Sequence, residues 1–471
     1  MSESNRNVQL AKNTIVLTVG KICTQFVSFF LLPLYTALLD PSDYGTVDLI
    51  STYATLLLPI VGLELSSGVF RFILDVRQDS KKTDCLISTA MTVTHFQLAG
   101  FLLLFAVIQI FVHSQYKMFL AVEIALNLYS AILMQISRGL GRNDIYSVAS
   151  FLSASTMVAM NVIFIAGMRM GIYGMFLGLI LSKIITNLYL FITLKMWQHY
   201  HISLFDKEEL KAIIKYSMPL VPNQLSWWVV GASDRLVVSH FLGVAYNGLY
   251  SVANKFSSIY ITFYNIFNMA WTESAALHFN DKDGEEYLNN TVNTLFPLFS
   301  SICIGITACV SLMFPVLINE QYAEAYPQIP ILMMAVMCQS IIGLVSVVYT
   351  AKKMSAAIAK TSFWVALVNL STDLLMIHFI GLYAASLSTL IAYGAMMLYR
   401  LHDVQKYAKI KIPTGMLAVT ILLAVGVCVA YYSNSIFLQV VALLLAVLYA
   451  IVSNRKFLKD IVCMGLSYIR K

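Results

Sequence analysis

Charge is scarce in this chain. Asp, Glu, Lys and Arg make up only 12% of its 471 residues, where soluble proteins carry about a quarter. Long polar segments are missing too. The longest, residues 195–212, is a linker containing HYHISLFDKEELK, whose pattern suits a short surface helix. A soluble catalytic lobe tethered to a membrane is therefore excluded, as is the large outer loop carried by enzymes that polymerise or ligate surface glycans. The phosphate-binding pattern G-x-x-x-x-G-K-[ST] is absent, which argues against ATP hydrolysis. The seven cysteines contain no C-x-x-C and read as small buried hydrophobes. His199 and His201 are two residues apart and point to different helix faces, so no metal site is expected. With no catalytic constellation and no cofactor motif, the chain does not read as an enzyme.

Apolar residues fill the space that charge leaves. They make up 59% of the chain and come in blocks such as VVALLLAVLYAIV and LLLFAVIQIFV. A secreted, fibrous or disordered chain is excluded; this is a polytopic, all-α membrane protein. A crossing helix needs roughly 20 mostly apolar residues. Breaks at charged, Asn, Gly and Pro positions give about fourteen spans, from 13–38 and 44–74 through 213–241 and 246–276 to 414–433 and 436–453. The first lacks a cleavage site and is expected to be retained. With both termini cytoplasmic, the outer loops carry only Lys117 and Arg169 of the 31 lysines and arginines. The net charge of +7 then belongs to a cytoplasmic face that meets anionic lipid headgroups, with no need for nucleic acid.

Two echoes suggest an internal duplication. Leu39-Asp-Pro-Ser-Asp-Tyr-Gly45 precedes span 2, and Leu242-Gly-Val-Ala-Tyr-Asn-Gly248 precedes span 8. Gly171-Ile-Tyr-Gly174 and Gly381-Leu-Tyr-Ala384 repeat at nearly the same offset. The expected organisation is an N-lobe of six helices (1–200), a C-lobe of six (201–405), and two further helices with a cytoplasmic tail (406–471). An even number of helices per lobe relates the lobes by an axis along the membrane normal, with a substrate site expected between them.

Ionisable residues inside spans are Lys21, Asp48, Glu64, Arg71, Glu123, Lys183, Asp234, Arg235, Lys255, Glu273 and Asp373. A charge at the bilayer centre costs roughly 2.5–3.5 kcal/mol even on lenient scales, so such residues face a cavity or a partner. All but Glu123, Lys183 and Asp373 sit in spans 1, 2, 7 and 8, the first two of each lobe. Helical spacing aligns them into stripes: Thr14, Thr18, Lys21, Gln25, Ser28 and Tyr35 in span 1, and Ser251, Lys255, Ser258, Thr262 and Asn265 in span 8. Glu64, Ser67, Gly68 and Arg71 share a face of span 2, with Glu64 and Arg71 too far apart to pair directly. These stripes are expected to line a hydrated chamber. Lys21, Arg71, Lys255 and Arg235, with Gln25 and Asn265, are the candidate substrate-binding residues; Glu64 and Asp234 are the candidates for ion coupling. Arg71 also lies close enough to the cytoplasmic end to snorkel, and the neighbours Asp234 and Arg235 suit structural pairing. Gly167-x-x-x-Gly171 and Gly174-x-x-x-Gly178 mark close helix packing.

The short turns ending in Tyr-Gly, the run LLLPIVGLELSSGVFRF (Leu56 to Phe72) and S-D-R…FLG…GLYSVANK (Ser233 to Lys255) resemble the Wzx-type polysaccharide flippases of the multidrug/oligosaccharidyl-lipid/polysaccharide exporter superfamily. The resemblance covers essentially the whole chain. It implies a MATE-like fold in the bacterial cytoplasmic (inner) membrane. The implied cargo is an undecaprenyl-pyrophosphate-linked oligosaccharide, moved outward by alternating access for O-antigen, capsule or exopolysaccharide synthesis. Coupling to H+ or Na+, contact with membrane lipids, and cooperation with polymerase and glycosyltransferase machinery follow from the same resemblance. Relatives line their chamber with cations, a role that passes to Lys21, Arg71 and Lys255 and, by position, Arg235. Competing readings are a lipid II flippase, a multidrug or cation antiporter, and a non-transporting scaffold for glycan enzymes. Lys21, with no acidic residue in span 1, disfavours organic cations; the buried stripes disfavour a scaffold.

Overall fold

The computed structural model describes residues 29–111, 113–279, 281–352, 354–433, 435–455 and 459. The described chain is helical, with no strand among the described residues. The helices are α1 (Leu32–Leu38), α2 (Pro41–Gly62), α3 (Leu65–Val76), α4 (Ser80–Ile108), α5 (Lys117–Gly139), α6 (Asn143–Asn161, continued by a π-helical turn over Val162–Gly167) and α7 (Gly171–Thr193). Then follow α8 (Lys207–Ser217), α9 (Leu220–Phe241), α10 (Val244–His278), α11 (Gly284–Leu317), α12 (Gln328–Ala351), α13 (Ser355–Ile380), α14 (Tyr383–Val404), α15 (Thr414–Tyr432) and α16 (Ile436–Ser453). Span 1 is described only in its last turns, and every other expected span has its helix. Among the described residues ten helices are long and apolar enough to cross a membrane, and α9, α10 and α14 are not among the ten. Two of those three are the polar helices expected from spans 7 and 8.

Both sequence echoes have matching backbone geometry. The first starts a helix at its third residue in each copy, Pro41 and Val244. At Pro41 the start is fixed by Asp40, whose carboxylate accepts from the Asp43 amide at 2.8 Å. In the second echo Gly171 and Gly381 both adopt a left-handed backbone, φ +57° and +56°, which only glycine takes without strain.

Two expected boundaries are corrected. Span 2 is not continuous: α2 ends at Gly62, Leu63 and Glu64 both take positive φ, and α3 starts afresh. Span 7 does not begin at residue 213. Residues 207–217 form the separate amphipathic α8, and the chain turns at Met218-Pro219 before α9, because proline cannot continue a helix.

The chain divides into two compact units, Met1–Leu236 and Val237–Lys471. In the first, α3 to α8 converge on one core of Leu65, Val69, Ile87, Leu133, Ile136 and Ile213. The linker is pinned to the start of α4: Ser88 Oγ donates to the His199 carbonyl at 3.0 Å, and the Asp206 amide donates to Thr89 Oγ1 at 3.0 Å. In the second unit, α15 and α16 lean on α11 through Ala308, Ala430, Ala442 and Ala446. In hydrocarbon such contacts are stabilised by close packing of small residues rather than by hydrophobic transfer. Gly178 is a further case, since a Cβ there collides with the Asn161 amide group, while one at Gly174 comes within 3.1 Å of Phe164. Gly178→Leu is expected to destabilise the first unit by about 1–3 kcal/mol. The check is the thermal midpoint of the detergent-purified protein, and an unchanged midpoint refutes the tight packing of α6 and α7.

Candidate functional site

The break between α2 and α3 places unwound backbone within the expected span 2. Pro59 already removes one amide from the end of α2, and the left-handed Leu63 and Glu64 free the carbonyls before them. Positive φ at two non-glycine residues costs of order 1–3 kcal/mol each, so the surroundings must hold it. Gln97 on α4 does so by donating from Nε2 to the Gly62 carbonyl at 3.1 Å. Glu64 caps α3 through its own carbonyl, which accepts from the amides of Ser67 (3.0 Å) and Gly68 (3.4 Å). Its carboxylate accepts from Ser67 Oγ at 2.9 Å. Beside it lies a cavity of about 50 Å³ bordered by Gly62, Glu64, Ser66, Thr94 and Gln97, and Gln97 Oε1 is buried there without a hydrogen-bond donor. Leu58, Leu65, Leu128, Ala131 and Ile132 complete its lining, and the space beside Glu64 and Gln97 suits a water or a bare cation. Membrane proteins tolerate irregular backbone where it lines such cavities.

The other sequence-derived candidates fall into three groups. Lys21 and Gln25 lie outside the described residues, as does the side chain of Glu273. Two cations stand against carboxylates. Arg71 is half exposed and reaches one turn along α3 to Asp75, Nη1 to Oδ1 at 2.6 Å. Arg235 on α9 meets Asp48 on α2, Nε to Oδ2 at 3.1 Å, with both side chains largely buried. A second link runs beside that pair, Trp228 Nε1 donating to Thr55 Oγ1 at 3.1 Å. Thus α2 and α9 are joined at two points, two helical turns apart on each helix. Asp234, next to Arg235, is 5% exposed.

On α10, Lys255 is half-buried and Asn265 exposed. The expected stripe around them is only partly available. Ser258 Oγ donates to the Lys255 carbonyl at 2.8 Å, Thr262 Oγ1 donates to the Ser258 carbonyl at 2.7 Å, and Ser251 is buried. The Ser258 and Thr262 hydroxyls thus turn back onto their own helix, as Ser and Thr commonly do within helices.

Glu123, Lys183 and Asp373 lie outside the four striped spans. Glu123 on α5 and Lys183 on α7 interact electrostatically within the first unit. Asp373 is fully buried on α13, one turn from buried Asn369, whose amide donates to Thr389 Oγ1 on α14 at 3.2 Å. The four-residue step Asn369/Asp373 was the available sign of a shared helix face. Among the described residues no group of three or more His, Cys, Asp or Glu gathers at metal-binding distance.

The profile of the family described as polysaccharide biosynthesis protein matches residues 10–272. That is more than half of the chain and includes the α2–α3 break, the Asp48–Arg235 pair and Lys255. The chain belongs to the polysaccharide biosynthesis protein family. None of the curated proteins is similar to it by sequence. Solved structures share its fold. Lipid II flippase MurJ, in an inward closed conformation, matches with a TM-score of 0.71 at 15% identity, over 96% of this chain and 100% of that one. An inward-facing multidrug MATE transporter of the MOP superfamily matches at 0.65 and 13% identity, over 81% and 95%. A MOP-superfamily transporter from Pyrococcus furiosus, titled for the reverse polarity of its binding pocket, matches at 0.53 and 14%, over 84% and 96%. At these identities the likeness establishes the fold alone: this member of the polysaccharide biosynthesis family is a multi-pass membrane protein with a MATE-like fold.

The Asp48–Arg235 pair gives a direct test of the geometry in this family member. A double-mutant cycle with Asp48→Asn and Arg235→Gln is expected to show a coupling of about 0.5–3 kcal/mol in thermal unfolding, as contacting residues do. Strict additivity of the two replacements counts against the contact.

Proposed function

We infer that this protein is a flippase for undecaprenyl-pyrophosphate-linked oligosaccharide repeat units. It carries them across the cytoplasmic membrane by alternating access, for O-antigen, capsule or exopolysaccharide assembly alongside polymerase and glycosyltransferase machinery. The observation that carries this reading is the set of cations within the spans of a polysaccharide biosynthesis family member, Lys255 and Arg235 on α10 and α9 together with Lys21 of the sequence. A diphosphate is anionic, and ammonium or guanidinium groups in a low-dielectric setting bind such a group by charge-assisted hydrogen bonds. Arg71 serves at the cytoplasmic end, and Gln25 and Asn265 contact sugar hydroxyls. The prenyl tail stays in lipid. The lobes that alternate are those of the sequence division, 1–200 and 201–405.

Coupling to H+ or Na+ is assigned to Glu64, with Asp234 as the second carboxylate. The cavity at the helix break supports Glu64, because protonating or coordinating its carboxylate changes the bond to Ser67 Oγ in the first turn of α3. A lipid II cargo is the second reading, favoured by the full-length match to MurJ, and it shares the same diphosphate.

Transport into proteoliposomes tests both parts. Lys21→Ala and Lys255→Ala are each expected to lower transfer of lipid-linked oligosaccharide roughly tenfold or more, the scale of one lost charge-assisted bond. Normal transfer by both variants, or extrusion of a quaternary ammonium dye in place of the glycolipid, overturns the assignment; preference for lipid II over the oligosaccharide carrier moves it to the second reading. Glu64→Gln is expected to flatten the pH dependence of transport. Retention of the wild-type pH profile removes Glu64 from coupling.

A further inference from the structure

A second polar feature lies in the second unit, away from every residue assigned above. Between α13 and α14 runs a groove of about 380 Å³, with Thr361, Trp364 and Val368 on one wall and Ala395, Met396 and Tyr399 on the other. The wall residues recur every three to four positions, so the groove follows both helices for about two turns, roughly 12 Å. Its floor is apolar. Lys360 marks one end.

Beneath that end sits Arg400, 3% exposed. Among the described residues all its partners are neutral. Nη1 donates to Ser346 Oγ at 2.6 Å, and Nη2 to Thr361 Oγ1 at 2.6 Å and to the Ile358 carbonyl at 3.5 Å, with the Tyr349 ring 5.8 Å away. Nε is buried and unbonded. The nearby carboxylate of Asp403 is engaged elsewhere, by Tyr349 at 2.7 Å and Lys406 at 2.8 Å. A guanidinium taken out of water without a counter-charge is strongly unfavourable. Thr361 lines the groove and accepts from Arg400, while its own hydroxyl proton goes to the Ala357 or Ile358 carbonyl at 2.9 Å, so an anion at this end is bound by the Lys360 ammonium and feels the buried Arg400 charge behind Thr361.

The groove's surroundings identify the rest of the occupant. Phe363, Leu367 and Leu398, on its outer flanks, are exposed large apolar side chains, as expected of a lipid-facing surface. Trp364 and Tyr399, both 54% exposed, are the amphipathic aromatics found at headgroup level. The distribution of Lys and Arg puts this end of both helices at the cytoplasmic surface, where anionic lipids and basic pockets between helices meet.

The geometry points to a resident site for an anionic glycerophospholipid of the cytoplasmic leaflet. Its phosphate sits at Lys360, within the field of the buried Arg400 guanidinium, and one acyl chain lies along the α13–α14 groove. The volume falls within the roughly 300–1,000 Å³ of small-molecule sites. α13 and α14 are consecutive helices packed directly on one another, so the groove holds a lipid at their surface rather than passing one between them.

Lipid retention tests the site without any transport readout, so its outcome is independent of the cargo assignment. The full-length protein is exchanged into micelles containing equal phosphatidylglycerol and phosphatidylcholine, and bound lipid is counted by native mass spectrometry. Wild type is expected to retain phosphatidylglycerol preferentially. Lys360→Gln should cut that preference about fivefold, equivalent to the ~1 kcal/mol of one lysine at an anionic surface. Ala395→Trp, at an exposed position, should fill the groove and lose the bound lipid. Equal retention of the two lipids by wild type overturns the proposal, as does indifference to both substitutions. Displacement of phosphatidylglycerol by equimolar undecaprenyl phosphate also overturns it, assigning the groove to a prenyl tail instead.

Discussion

Hydrocarbon offers a polypeptide no hydrogen bonds, and that constraint shapes every departure from plain helix in this molecule. Where α2 ends, the Gly62 carbonyl has lost its helical donor, and the Gln97 amide replaces it. The Ser258 and Thr262 hydroxyls bond to their own helix. Asn161, where α6 passes into its π-helical turn, is fully buried and donates to the Tyr35 hydroxyl at 2.8 Å, tying α6 to α1. An unmet polar group in hydrocarbon costs several kcal/mol, which is why the Gly62 carbonyl needs the Gln97 amide.

The same rule governs charge. Arg235 stands against Asp48, Arg71 against Asp75, and Glu123 interacts with Lys183. Pairing changes how the cations meet a ligand. Under the proposed function, an anionic headgroup approaching Arg235 would compete with Asp48, so that binding would be an exchange of partners. Exchange is weaker than capture by a bare charge, which suits release of a cargo. Arg400 differs because its partners are all hydroxyls, a carbonyl and an aromatic ring.

Much of the architecture was legible in the sequence because apolar length and the echo turns are local signals. Asp40-Pro41 announces a helix start, and the paired Gly171 and Gly381 announce a left-handed turn twice. The break at Leu63-Glu64 was not legible, since neither residue favours positive φ and no glycine marks the spot; Gln97, more than thirty residues on, makes that conformation tenable. Pro219 did signal the end of α8, yet apolar residues on both sides let the two helices read as one. Arg400 follows an apolar run, and nothing local shows that its side chain turns inward to Ser346 and Thr361. Nothing in their local sequence links Glu123 to Lys183; packing of α5 on α7 does.

The sequence by itself determined that this is a membrane-embedded helical protein, where most helices start, and which residue types had to be accommodated in hydrocarbon. Composition and period suffice for this because each helix satisfies its own backbone and needs no distant partner. Tertiary structure alone decided what each polar side chain touches: Arg235 meets Asp48, Gln97 supports the break beside Glu64, and Arg400 is surrounded by hydroxyls. Those outcomes depend on which helix faces which, a matter of packing between segments tens to hundreds of residues apart that no local pattern encodes.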